Sequence, residues 1–165
     1  MLRVLASSLL CLVSISIINT GSATNSPTPR STVTIERAWA RATPPGLVIG
    51  AAYAVITNRG AADRLLAVET SASKRVEIHS TKDVEGRMQM RQLATLDLPA
   101  GGAVAFEPGG LHLMLVDLQQ PLQAGTTLSL TFVFEKAGRV TIEANVAPIG
   151  STQPPALDTS HHAHH

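Results

Sequence analysis

The sequence has almost no cysteine. Its only one, Cys11, lies in an apolar run at residues 4–18 that follows Arg3 and precedes small residues at 21–23. This order is typical of a secretory signal peptide, and we expect cleavage after Ala23. Leu10 precedes Cys11 where a lipoprotein signal has a small residue, so lipid anchoring is not expected. The mature chain should therefore have no thiol, which excludes disulfides and thiolate metal sites.

An excess of charge of one sign is also lacking. Loss of Arg3 with the signal peptide reduces the 13 basic residues to 12, which equals the 12 acidic residues. No cluster of Lys or Arg is present to offset phosphate charge, which argues against nucleic-acid binding. The same balance argues against membrane-surface binding, and we expect no stable membrane insertion. These features predict an exported protein.

Aromatic residues are scarce, with one Trp, one Tyr and three Phe, so the core must consist mainly of Val, Leu, Ile and Ala. Residues 1–23 are predicted as the signal peptide, 24–32 as a linker and 149–165 as a disordered tail, because the last two lack apolar periodicity. Residues 33–148 form one domain, in which apolar and polar residues alternate between turn residues. The pattern predicts an all-β antiparallel sandwich or barrel with strands near 33–38, 51–57, 64–69, 74–79, 87–92, 102–107, 111–117, 126–135 and 139–146.

Methionine and histidine are unevenly distributed. Apart from the initiator, all three methionines and both histidines outside the tail lie between residues 79 and 114. Successive side chains of a strand point to opposite faces, so the leucines at 111, 113 and 115 share one face and His112 and Met114 share the other. The leucines are expected to pack in the core. His112 and Met114 are therefore expected together on the exposed face.

The same alternation applies to two neighbouring runs. Ile78 is expected to point inward, whereas Glu77 and His79 point outward. Met88 and Met90 lie on one shared face, and the alternation leaves them as alternatives for the same role. Glu77 is expected to be an ordinary solvated charge.

Two imidazoles and one or two thioethers indicate a particular metal. Thioether sulfur is soft and suits Cu(I), whereas Zn, Mg and Ca prefer imidazole, thiolate or oxygen ligands. A ligand set without charge leaves the positive charge of Cu(I) uncompensated, which favours reversible carriage over storage. Alternation along strands does not establish that separate hairpins bring these side chains to one ion, so a plain sandwich with surface His and Met stays open on this reasoning.

The spacing of these residues resembles that of a known family. His79, Met90, His112 and Met114 match the signature H-x10-M-x21-H-x-M of the PCuAC family of periplasmic copper chaperones. Similar blocks cover nearly the whole folded part, at residues 38–46, 50–53, 75–79, 108–114 and 134–138. One difference is Ser80, which stands where some members of the family have a methionine. The only contact that this chain would lack is therefore an auxiliary one from sulfur.

The resemblance implies a fold, a ligand set and a partner. The fold would be a cupredoxin-like antiparallel β-sandwich with Greek-key connections. Cu(I) would be held by His79, Met90, His112 and Met114, while Met88 has no role in the signature and is kept only as an auxiliary donor. The protein would deliver copper to cytochrome c oxidase assembly, either to the copper site of subunit II or to another copper chaperone.

The predicted tail contains a separate group of histidines. Imidazole nitrogen is a good ligand for Cu(II), and a flexible segment can wrap around an ion. An expression tag is the alternative, but Ala163 interrupts the run, which favours a natural tail. Some members of the PCuAC family are similar in carrying a His- or Met-rich extension that takes Cu(II). The candidate Cu(II) donors are His161, His162, His164 and His165.

Other functions fit the sequence less well. No carboxylate pair has a spacing suited to general acid–base work, and no serine lies in a nucleophile elbow, so an enzyme is not expected. Blue-copper electron transfer requires a cysteine thiolate, which the mature chain lacks. Copper sequestration for tolerance is the alternative to delivery, and a structural or adhesion sandwich is a further one. We expect the protein to act as a monomer.

Overall fold

The computed structural model describes residues 32–155, and all of its regular structure is strand. The predicted signal peptide, linker residues 24–31 and tail residues 156–165 lie outside the described part. Within residues 32–155 no helix is long and apolar enough to cross a membrane. The ten strands are β1 (Val33–Arg41), β2 (Ile49–Asn58), β3 (Asp63–Glu69), β4 (Ser73–Val84), β5 (Arg87–Leu93), β6 (Leu96–Leu98), β7 (Ala103–Phe106), β8 (Leu111–Leu118), β9 (Thr127–Phe134) and β10 (Arg139–Ala147).

Each of the nine predicted strands is present. The tenth strand, β6, was missed because its three residues are too few to show a period of two. The predicted strand at 74–79 is longer than expected and continues as β4 to Val84. There Glu85 and Gly86 both adopt positive φ, 55° and 76°, and form a two-residue hairpin turn to Arg87. The β4–β5 hairpin therefore extends well beyond the core.

The strands form one sheet that folds over on itself. Its order is β5-β4-β8-β2-β1-β10-β9-β3-β6, with β7 pairing to β2 beside this path. All pairings are antiparallel except that of β1 with β10, which is parallel. Residues from opposite ends of this order, such as Ile78 of β4 and Leu65 of β3, belong to the same buried cluster. The sheet is thus a two-layered β-sandwich, as expected.

The core consists mainly of aliphatic side chains, as the scarcity of aromatics predicts. Leu113 and Leu115 of β8 are fully buried, and Leu111 packs against the same cluster at its edge. Phe132 and Phe134 of β9 stack in it with their ring centroids 6.4 Å apart. The inward face of β8 is therefore tied to the opposite layer, which leaves its other face available for a site.

The predicted tail begins at residue 149, but its first seven residues are described. Arg41 at the end of β1 donates hydrogen bonds from Nε and Nη2 to the Ser151 carbonyl, at 3.1 and 2.7 Å. These bonds attach the chain after β10 to the edge of the sandwich near the outer face of β1. Residues 149–155 form no strand, and these bonds hold Ser151 against the end of β1.

Candidate metal centre

His79 and His112 are direct neighbours on adjacent strands. The register between β4 and β8 places them opposite each other, and their ring centroids are 5.7 Å apart with the planes inclined at 59°. Directly opposed residues of an antiparallel pair have their Cβ atoms about 4.5–5.5 Å apart, so the two rings share one face without any bend of the strands. Alternation along single strands did not establish that the two histidines lie together. The register between β4 and β8 places them side by side.

The two thioethers flank the histidine pair on opposite sides. Met114 follows His112 by two residues on β8 and lies opposite the small Ala51 of β2. Met90 of β5 lies opposite Thr81 of β4, two residues along the strand from His79. Both methionines are thus diagonal to His79 on its two neighbouring strands, and Met114 is also next to His112 on the same face of β8.

Met88 occupies a different position from Met90. It lies opposite Asp83, four residues along β4 from His79, which is about 7 Å farther along the strand than the position of Met90. It is also 62% exposed. Met88 does not line the groove described next, whereas Met90 does.

A shallow groove brings three of the four signature residues together. Its volume is about 490 Å³, and its walls are mostly apolar. Met90, His112 and Met114 line it together with Thr81 of β4 and the exposed apolar residues Leu47, Ile49 and Ile149. Met90 is 55% exposed at its edge. A bound ion would therefore lie near the surface and within reach of another protein.

His79 corrects one expectation from the sequence. It is on the face opposite Ile78, as predicted, but it is only 9% exposed and does not line the groove. Alternation along a strand indicates a face and does not reveal what covers that face. Its Nδ1 atom is buried and has no hydrogen-bond partner, one of two such side-chain atoms among the described residues. A buried nitrogen without a partner is costly, and a metal ion would supply the missing interaction.

His112 has one ring nitrogen engaged. Its Nδ1 is 3.1 Å from the Gly110 carbonyl oxygen, which can only accept, so this nitrogen carries the proton. The lone pair of the neutral ring is then on Nε2. The ring lies on the wall of the groove, and its hydrogen bond goes to Gly110, the residue just before β8.

Glu77 was missed as a part of this site. Its carboxylate contacts His79 Nε2 through Oε2 at 3.0 Å and accepts from Arg75 Nε through Oε1 at 2.9 Å. Arg75, and after it His79, hold the pKa of the Glu77 carboxyl below its usual value by hydrogen bonding. Glu77 is therefore a partly buried, paired anion and not a solvated charge. The alternation Arg75-x-Glu77-x-His79, which places all three on one strand face, was the signal for it.

An aromatic pair lies beside the groove, where Tyr53 lines it and Trp39 packs against Tyr53. Trp39 of β1 and Tyr53 of β2 are opposed in register, and their rings lie 4.4 Å apart, inclined at 33°. The Arg41 guanidinium lies 5.7 Å from the centre of the Tyr53 ring, within the range of a cation–π contact. Burial raises the pKa of the Tyr53 hydroxyl, so this ring is neutral at ordinary pH. The wall on this side of the groove is therefore backed by a buried aromatic cluster.

The donor set is a mixed one. Among residues 32–155 no three of His, Cys, Asp and Glu lie together in a way that could hold a metal. The atoms available to an ion are two imidazole nitrogens and the sulfurs of Met90 and Met114. The tail histidines 161, 162, 164 and 165 lie outside the described residues.

Comparisons with known proteins identify the family. Residues 33–146 match the LpqE-like family, described as "Putative lipoprotein LpqE-like". The "Putative lipoprotein Lxx21020" of Leifsonia xyli subsp. xyli is 32% identical over 104 residues, 62% of this chain and 61% of that protein. "Uncharacterized protein RP573" of Rickettsia prowazekii is 29% identical over 96 residues, 58% of this chain and 53% of that protein. The chain thus spans between half and two thirds of the length of these curated relatives.

Solved structures agree with this assignment. The structure described as "Copper-bound PCuAC domain from PmoF2" is 31% identical with a TM-score of 0.62, over 71% of this chain and 93% of that one. The solution structure of "CuI-DR1885" from Deinococcus radiodurans is 25% identical with a TM-score of 0.57, over 76% and 83%. The expected resemblance to the PCuAC family is therefore confirmed, and the chain belongs to the LpqE-like, PCuAC-type family.

Proposed function

We propose that this protein is a copper chaperone that binds one Cu(I) ion through His79, Met90, His112 and Met114. The observation that carries the proposal is the placement of these residues on one face: two opposed imidazoles, with Met90 and Met114 both diagonal to His79 and Met114 two residues from His112 on the same strand. Relatives solved with copper support the choice of metal, because both the PmoF2 domain and the Deinococcus radiodurans protein are described in copper-bound form.

The separation of the rings suits a shared ion. A metal bound to imidazole lies about 2.0 Å from the nitrogen, which is about 3.2 Å from the ring centroid. Two rings on one ion at angles between tetrahedral and linear then have centroids roughly 5.2–6.4 Å apart. The observed 5.7 Å lies within this range. The separation of the rings is therefore compatible with a shared ion without movement of the strands.

The chemistry of the donors favours carriage of Cu(I). Neutral nitrogen and thioether ligands leave the single charge of Cu(I) in place, whereas a thiolate would neutralise it and hold the ion more tightly. Met90 lies exposed at the edge of the groove, so a donor from another protein can replace it first. Ligand exchange, one donor at a time, then transfers the ion without releasing it to solvent.

The cellular role that we propose is delivery to cytochrome c oxidase assembly in the periplasm. The acceptor would be the copper site of subunit II or another copper chaperone, and the protein would act as a monomer after cleavage of residues 1–23. We expect a deletion strain to lose oxidase activity at limiting copper and to regain it when copper is supplied. A strain that keeps full oxidase activity but grows poorly at toxic copper would instead identify a sequestering protein.

The two exposed methionines provide a matched pair of variants. We expect Met90→Leu to weaken Cu(I) binding about 10-fold, because the substitution preserves volume and removes the sulfur. Met88→Leu makes the same chemical change about 7 Å farther along the hairpin and should leave the affinity unchanged. Competition with a Cu(I) chelator measures both. Equal losses for the two variants would show that Met88 is an auxiliary donor, and a loss only for Met88→Leu would contradict the assignment of Met90.

A second copper site is proposed in the tail. We propose that His161, His162, His164 and His165 bind Cu(II). Four imidazoles lie on one short segment, and among the divalent first-row metals Cu(II) has the highest affinity for imidazole nitrogen. Deleting residues 159–165 should then abolish Cu(II) binding at this site and leave the Cu(I) affinity of the domain unchanged. Titration with Cu(II) measures the effect, and undiminished affinity in the truncated protein would contradict the proposal.

A further inference from the structure

The two nitrogens of the His79 ring have unlike surroundings. Nε2 lies 3.0 Å from Glu77 Oε2, while Nδ1 is buried without a hydrogen-bond partner. A carboxylate paired with an arginine is ionised and can only accept, so Nε2 must carry the proton. In a neutral ring the other nitrogen, Nδ1, then holds the lone pair. The nitrogen left without a partner is thus the one able to bind a metal.

His112 shows the opposite arrangement. Its Nδ1 donates to the Gly110 carbonyl at 3.1 Å, and its Nε2 makes no hydrogen bond within the described residues. The hydrogen bond made by one ring nitrogen determines which tautomer a metal-binding histidine adopts. The two opposed rings are therefore prepared to bind through different nitrogens.

Glu77 is itself held in place. Arg75 donates from Nε to Glu77 Oε1 at 2.9 Å, and its Nη1 lies 3.3 Å from Asp117 Oδ2 on β8. Asp117 adopts a positive φ of 58°, which is uncommon for a residue other than glycine. The Glu77 side chain is only 18% exposed, in contrast to 58% for Arg75. The carboxylate therefore has one oxygen committed to Arg75 and the other free to orient the imidazole.

We propose that Glu77 is a positioning residue that keeps the proton of His79 on Nε2, so that copper binds His79 through Nδ1 and His112 through Nε2. This inference rests on the proposed function, because it needs both histidines to be copper ligands. Without the Glu77 carboxylate, the His79 ring can exchange tautomers or rotate, and only part of the population presents a lone pair to the ion. Affinity then falls in proportion to the competent fraction, and it falls further because the imidazole loses the basicity that a carboxylate partner gives it.

Long-range proton–nitrogen NMR on the metal-free full chain tests the tautomer directly. In the wild type we expect His79 to carry its proton on Nε2 and His112 on Nδ1. Glu77→Ala should give a mixture of tautomers at His79 and leave His112 unchanged. Glu77→Gln has a single acceptor oxygen, which Arg75 takes because a guanidinium can only donate, so the amide NH2 group should face Nε2 and move the His79 proton to Nδ1. An unchanged His79 tautomer in Glu77→Ala would overturn the inference, because Glu77 would then only pair with Arg75.

Copper loading supplies the second readout. Outer-sphere partners of metal-bound histidines typically contribute about 10–100-fold to affinity, so Glu77→Ala should bind Cu(I) about 10–100-fold more weakly than the wild type. Glu77→Gln should bind at least as weakly, because the His79 proton then occupies Nδ1. In the loaded wild type the copper-induced nitrogen shift should fall on His79 Nδ1. A shift on His79 Nε2 overturns this inference alone. Failure of the wild type to bind Cu(I) overturns the proposed function, and with it the inference.

Discussion

Replacing His112 with alanine is expected to reduce Cu(I) affinity by on the order of 100-fold or more, because a direct ligand contributes at least as much as its outer-sphere partners. The variant should remain folded, since the His112 side chain lies on the groove wall and not in the core. Met114→Leu should also weaken binding, because it removes a sulfur at nearly constant volume. Competition with a Cu(I) chelator at several protein concentrations measures both effects.

A control on the same wall separates loss of a ligand from disturbance of the groove. Thr81 lines the groove beside Met90 and offers copper no soft donor. Thr81→Val has nearly the same shape and should bind Cu(I) as the wild type does. If His112→Ala and Met114→Leu both bound Cu(I) as tightly as the wild type, the assigned site would be wrong.

Leu113→Ala, one residue along the strand, is expected to have the opposite effect. Leu113 is 0% exposed in the core, and truncation of such a leucine costs about 2–5 kcal/mol of unfolding free energy, from lost burial and the cavity left behind. Its side chain points away from the groove, so the folded fraction should keep its Cu(I) affinity. Urea denaturation of the metal-free variant measures the first effect, and chelator competition well below the transition measures the second.

The two neighbouring variants together test the division of β8 into two faces. His112→Ala should change affinity with little change in unfolding free energy, and Leu113→Ala should do the reverse. A large stability loss for His112→Ala with little loss for Leu113→Ala would mean that the faces of β8 are interchanged. The same outcome would place His112 in the core and remove it from the site.

Much of this division could be predicted from the sequence, because a strand places alternate residues on opposite faces. The leucines of β8 and Ile78 of β4 were assigned to the core on that ground. Leu113, Leu115 and Ile78 are buried there, and Leu111 packs at the edge of the same cluster. Short elements escape this reasoning, as β6 did, because three residues show no period. Strand alternation also does not predict whether residues elsewhere in the chain cover a face. His79 is buried, although its face was expected to be exposed.

The register between neighbouring strands could not be predicted from the sequence, and the site depends on it. The alternation left Met88 and Met90 equivalent, and the family resemblance favoured Met90. The structure adds the physical reason, since β5 places Met90 opposite Thr81 and Met88 opposite Asp83. Glu77 was read as solvated because strand period indicates a face and not the partners on it. Its contacts with Arg75 and His79 depend on side-chain conformations that only coordinates reveal.

In the proposed site a single copper ion is held by two histidines and two methionines. X-ray absorption at the copper edge of the Cu(I)-loaded protein tests this site most directly, because nitrogen and sulfur scatterers lie at distinguishable distances from the metal. We predict Cu(I) with two nitrogen and two sulfur neighbours, and the loss of one sulfur in Met114→Leu. A first shell of nitrogen or oxygen alone, unchanged in Met114→Leu, would contradict it.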